Sequence, residues 1–177
     1  MSASPTQSGQ ILAATVDNCT MVAVMGAGNF KLAPSFRQAV QAARLAGSAM
    51  IVVDMAGCTT LDSTFMGTLA ALGFSAGKPD GTPAVLINLT PHAAGLLKGL
   101  GVDRLLKGYP MGSLPEGMGD LSALVASLKP VEAAPHEDRD MAALMYDAHE
   151  TLTRVDPENL QRFKDVLTFL RKDLDAP

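Results

Sequence analysis

Apolar positions along this chain follow two rhythms, which change over near residue 130. Up to that point, short apolar runs alternate with segments of helical spacing. Ile11 to Val16 and Cys19 to Met25 are β-prone runs separated by Asp17-Asn18, a turn pair, so the spacing predicts an opening hairpin. "MVAVM" within the second run is apolar on both faces, as an interior strand would be. From Pro34 to Leu45, Phe36, Ala39, Val40 and Ala43 recur at helical spacing with Arg37, Gln38, Gln41 and Arg44 elsewhere, which predicts an amphipathic helix ending near Gly47. Ala49 to Met55, "AMIVVDM", has too few polar residues to be half exposed and belongs at the centre of a sheet. A polar loop leads to a helix from Ser63 to about Ala76, stopped by Gly77 and Pro79 and turned by Asp80-Gly81. "TPAVLINL" predicts a further buried strand, "PHAAGLLKGLG" a short helix opened by proline, and "RLLKGY" an edge strand. "DLSALVASLK" predicts a helix with Asp120 at its N-cap and Leu121, Leu124, Val125 and Leu128 on one face. The order β β α β α β α β α predicts an α/β fold: a mixed sheet with later strands parallel and helices mainly on one face.

Beyond residue 130 the rhythm is helical throughout. Pro130 to Arg139, "PVEAAPHEDR", is a polar, proline-containing break. After it Met141, Met145, Ala148, Leu152 and Val155 repeat at alternating four and three. Asp156 is placed to cap and Pro157 to open a second helix, in which Leu160, Phe163, Leu167, Leu170 and Leu174 form a matching seam. The expected organisation is a disordered N-terminus over 1–9, a sheet domain over 10–129, a linker over 130–139 and an αα-hairpin over 140–175. Two such helices are marginal alone in water, so the hairpin must dock on the sheet domain, on a second copy as a homodimer, or on a partner.

Composition narrows the functional classes. The 177 residues are 47% hydrophobic and 18% charged with a net charge of −4, which suits a globular domain and argues against a nucleic-acid partner. No apolar run is long enough to span a bilayer and "MSASPTQSGQ" is not a secretory signal, so the expected location is cytoplasmic. Cys19 and Cys58 fit neither a disulfide framework nor a metal knuckle and read as buried thiols. "GAGNFK" lacks the third glycine of a dinucleotide loop, and "SAGKPDGT" lacks both the first glycine and the hydroxyl of a phosphate loop. His92, His136 and His149 have no partners at metal spacing, so neither a metal nor a cofactor is expected. Asp54 reads as a strand-end carboxylate bonded to loop amides. "LDSTF" is not a nucleophile elbow, and no catalytic residue is assigned.

What remains is the polar island Thr59, Thr60, Asp62, Ser63 and Thr64, set between a buried strand and an apolar helix. Ser, Thr and Asp are favoured helix caps, which accounts for the island by structure alone. A functional account comes from likeness. The strand "IVVDM", the loop "AGCTTLDS" and the helix "TFMGTLAAL" together resemble the STAS domain of bacterial anti-sigma-factor antagonists and of the cytoplasmic ends of sulphate transporters. Leu61, Asp62 and Ser63 match its motif directly, Gly26 to Phe30 stand where its neighbouring loop lies, and the resemblance spans roughly Ile11 to Lys129.

The resemblance implies a non-enzymatic binding module of a partner-switching pathway. It implies phosphorylation of Ser63, with Thr64 as fallback, by a serine kinase of histidine-kinase-like ATPase fold that is itself the anti-sigma factor, and reversal by a serine phosphatase. The implied partner surface is Asp62, Ser63, Thr64, Phe65, Met66, Gly28 and Asn29. Phe65 stands where the family carries glycine, as a crowding group or an apolar anchor. "GAGNF" lacks the family's common acidic residue. A phosphate at a helix start gains about 0.3–1 kcal/mol from the helix dipole. Repulsion from Asp62 at about 5 Å is roughly 3 kcal/mol per charge pair at an effective dielectric near 20, so the added charge should weaken an interface. Two other classes stay open: a constitutive scaffold that assembles through the C-terminal hairpin, and a sensor of a small ligand such as a nucleotide or lipid.

Overall fold

The computed structural model describes residues 8–177. The expectation of disorder over 1–9 therefore lies, except for Ser8 and Gly9, outside the described residues. β1 (Gln10–Val16) and β2 (Cys19–Gly28) form the predicted antiparallel hairpin, with Ile11 opposite Val24 and Val16 opposite Cys19. Asp17 and Asn18 both take the left-handed conformation, at φ 48° and 64°, as a two-residue turn matched to the strand twist requires. α1 (Ala33–Leu45) buries Phe36, Ala39, Val40 and Ala43, the stripe read from the sequence. β3 (Met50–Asp54) then pairs in parallel with β2.

The chain next departs from expectation. Cys58 to Leu61, read as loop, is a short strand, β4, parallel to the end of β2. Its two ends are buried and Thr59 and Thr60 between them are exposed, so it lacks the alternation by which strands are recognised. α2 (Ser63–Ala76), β5 (Ala84–Leu89) and α3 (Pro91–Gly99) follow as predicted. "RLLKGY" is largely not a strand: a 3₁₀ turn covers Val102–Arg104, Leu106 is buried, and only β6 (Gly108–Pro110) pairs, at the sheet edge. α4 (Ser122–Ser127) is a six-residue helix in which Leu124 is buried but Val125 is exposed. Asp120 is not its N-cap; the Asp120 carboxylate accepts the Ser122 amide and hydroxyl in a turn just before it.

The sheet runs β6-β5-β3-β2-β1-β7, where β7 (Lys129–Pro130) pairs antiparallel with β1. Strand residues alternate between two cores. Val22, Ile51, Val53 and Leu86 face the large one with α1, α2 and α3, whereas Met21, Val52 and Ile87 face a small one closed by Leu124 of α4. The segment from Val131 is tied down: its amide donates to the Ile11 carbonyl, and Gln38 of α1 bonds the Glu132 carbonyl and the Ala134 amide.

α5 (Asp138–Val155) and α6 (Glu158–Asp175) form the helical pair, and α5 packs on α2 of the same chain. Ala148 and Leu152 hold the predicted seam, but Leu144 and His149 complete it in place of the half-buried Met141 and Met145. In α6, Leu160 was expected inside and is 56% exposed, while its neighbour Asn159 is buried. The Asn159 amide explains the choice, since it donates to the carbonyls of Leu100 and Leu152 at two helix ends, the latter shared with the Asp156 amide. Asp156 accepts the Glu158 amide at the turn and pairs with Arg104 at 2.6 Å.

Candidate functional site

β4 carries the chain back alongside the end of β2 and sets Asp62 at the start of α2. The Asp62 amide donates to the Gly28 carbonyl at 2.9 Å. Its carboxylate accepts the Phe65 amide through Oδ1 and the Phe30 amide through Oδ2, both at 2.8 Å. Asp62 is thus both the helix cap and the clamp that fixes the β2–α1 loop against the β4–α2 loop. Asn29 shapes that loop from within, accepting the Lys31 amide through its side chain. Asp54 behaves as expected of a strand-end carboxylate, accepting the Ala56 amide and the Asn88 side chain.

The seven residues of the implied partner surface are brought together, but their side chains divide. Thr64, Phe65 and Met66 are buried. Phe65 is fully enclosed, edge-on to Phe36 with ring centroids 5.2 Å apart, so it neither crowds nor anchors a surface partner. Gly28 is pressed against Leu61 and Phe65, where a β-carbon would lie 2.7 Å from a Leu61 methyl. Asp62, Ser63 and Asn29 are half-buried, beside the exposed Thr59, Thr60 and Phe30.

Ser63 has a partner that its sequence neighbourhood does not show. Its Oγ lies 2.9 Å from Nε2 of His149 on α5, and Nδ1 of that imidazole lies 2.7 Å from the Met145 carbonyl. A carbonyl only accepts, so Nδ1 carries the proton; in the neutral ring Nε2 is then the acceptor and the serine hydroxyl donates. His149 is 3% exposed and sits edge-on to Phe163 of α6 at 5.0 Å. One residue along the seam, Ala148 rests on Gly67 of α2. A β-carbon at Gly67 would overlap the Ala148 carbonyl oxygen and lie 2.6 Å from its carbonyl carbon.

A serine bonded to a histidine raises the question of nucleophilic catalysis, which also needs space and oxyanion donors. Three cavities among the described residues do not border Ser63, and the Phe65 amide at the helix start already serves Asp62. One of them, about 450 Å³, lies between α1, α2 and α5 and is lined by Val40 and Leu144 together with Arg37 and Arg44. Among the described residues no cluster of three metal-ligating side chains occurs, and no helix is long and apolar enough to cross a membrane. Cys58 is buried and Cys19 partly so; both are free, and burial pushes both thiols up from their ordinary value.

This architecture is that of a known family. Residues 11–107 match the family model described as Mlab, STAS domain, and the chain belongs to this STAS family. Similar solved structures include an anti-sigma factor antagonist from Mycobacterium paratuberculosis, at 23% identity and a TM-score of 0.52, over 62% of this chain and 92% of that one. Another is a candidate anti-sigma factor antagonist from Thermotoga maritima, at 19% identity and a TM-score of 0.50, over 56% and 86%. Among curated proteins, none matches the chain. The family match ends at Lys107, so α5, α6 and His149 lie outside it.

Proposed function

We propose that this chain is a non-enzymatic regulatory binding module of the partner-switching type, with Ser63 as the residue that is phosphorylated. The observation that carries this reading is the position of Asp62 and Ser63. They stand at the start of α2, where the two side-chain bonds of Asp62 lock the neighbouring loop into one surface with it. That is the geometry of a rigid recognition site, and the STAS membership and the likeness to anti-sigma factor antagonists support it. The partner is a serine kinase of the anti-sigma kind, acting where the chain is made, and a serine phosphatase restores the free hydroxyl. Thr64 is the poorer acceptor, because it is 3% exposed. A phosphate on Ser63 brings about −1.5 to −2 charges beside Asp62 and weakens a desolvated interface without refolding the domain.

Phosphopeptide mass spectrometry on protein taken from growing and starved cells tests this, reading the peptide with Asp62, Ser63 and Thr64. Phosphate on Ser63 that changes with growth state is expected. A well-covered, unmodified peptide in both states would reduce the island to capping chemistry. A second reading, a constitutive scaffold, is favoured by one observation: Leu160, Val166 and Phe169 stand exposed on α6. Sedimentation of the full chain tests it, since a scaffold of this kind is oligomeric whatever the state of Ser63.

A further inference from the structure

The partner surface proposed above is not open. α5 lies along α2 from its first turn, with Ala148 seated on Gly67 and His149 on Ser63. The direct 2.9 Å contact between Ser63 and His149 leaves no room for a phosphate, nor for the residues of an enzyme that would place one there. His149 is enclosed rather than facing solvent, because Phe163 of α6 closes over its ring. α5 and α6 bury the apolar side chains Leu144, Ala148, Leu152 and Leu170; Leu144 and Leu152 join the large core, and Met141, Val155 and Phe163 pack against it. Polar ties add to this: Asn159 to Leu100, Arg162 to Gly99, and Arg104 to Asp156. The rest of that core is made by β2, β3 and β5 residues against α1 and α2.

We propose that α5 and α6 are an autoinhibitory cover, which hides Ser63 and the outer face of α2 in the unmodified chain, opens by local fluctuation to expose them, and cannot reclose over a negative charge on Ser63. The inference rests on the reading of Ser63 as the switch residue and adds the device that governs access to it. The partner then binds only after displacing α5. It must present to α2 what α5 presents: a helix with a small residue over Gly67 and, next to it, a hydrogen-bond acceptor for Ser63. A charge on Ser63 meets the buried imidazole in place of the hydroxyl's donated proton, and the two helices move off on Pro135 to Glu137, beyond the last bond to Gln38.

Hydrogen exchange read by mass spectrometry on the full chain tests this in three forms: unmodified, Ser63→Glu, and Ala148→Leu. The last overpacks the seam from the α5 side and leaves α2 untouched. Both variants are expected to speed exchange over residues 138–175 at least tenfold while β3 stays within about twofold of the unmodified chain. An equal rise in β3 would overturn the proposal, because the hairpin would then be part of the core; so would unchanged exchange in both variants. Release by Ala148→Leu alone would overturn the role of charge. Release by both variants with no phosphate on Ser63 in cells would keep the cover and remove the phosphorylation switch, so the two readings fail separately.

Discussion

α2 and α6 are helices of 14 and 18 residues with opposite relations to solvent. α2 is buried at nine positions, including Gly67 and Gly73, since it lies between the sheet and α5. α6 buries only Asn159 and Leu170 and shows Leu160, Val166 and Phe169 to solvent. The composition of each follows from its place. A helix covered on both sides needs apolar and small residues almost all round, whereas an outer helix needs one stripe. The difference also orders the two: α2 contributes Phe65, Met66, Leu69, Ala70 and Leu72 to the large core, α5 only Leu144 and Leu152, and α6 none of its fully buried residues. A regulated element is expected at the less buried end of that scale.

The contrast can be broken at several points. Phe65→Ala removes a fully enclosed ring from between α2 and α1 and should cost about 3–5 kcal/mol in chemical denaturation. Asn159→Ala takes its donor from the Leu100 carbonyl and one of two donors from Leu152, at a cost of about 1–3 kcal/mol, with hydrogen exchange rising first in α5 and α6 rather than in β3. Asp62→Ala removes the α2 cap and frees the Phe30 amide, and a loss of about 1–2 kcal/mol in thermal or chemical unfolding is expected.

A smaller effect is expected at the turn between α5 and α6. The Glu158 amide, and then the side-chain bond from Arg104, hold the Asp156 carboxyl below its ordinary value. A carboxyl lowered in the folded state contributes above its unfolded pKa of about 3.9, and that contribution is lost as pH falls through the folded value. The stability difference between Asp156→Asn and the unmodified chain, measured from pH 7 downward, should therefore shrink in acid. The smallest change is expected at Phe169, 64% exposed: Phe169→Ser should shift stability by no more than about 0.5 kcal/mol if α6 faces only water.

Much of the sheet domain was legible because its signals are local. β1, β2 and β3 announce themselves by apolar runs and α1 by its stripe, each within a dozen residues. β4 was not legible, since two adjacent exposed threonines hide a strand whose pairing with β2 depends on residues 32 and 33 positions away. Val125 misled because a six-residue helix does not complete the repeat that would fix its buried face. At the site, the sequence gathered Asp62, Ser63, Gly28 and Asn29 but had no access to His149, 86 positions from Ser63. A histidine in an apolar seam beside Ala148 was the one available sign. The same seam read from apolar spacing put Leu160 inside, when the polar Asn159 was the residue with bonds to make.

The covering helices are also the last part of the domain to be synthesised. At roughly 5–20 residues per second, residues 138–175 take roughly 2–8 s to be added to a chain whose strands have all been translated. Through that interval α2 has no α5 to pack on it. If the cover works as proposed, every copy would pass once through an uncovered form during its birth at the ribosome, and a helix able to replace α5 would meet its first unobstructed target there.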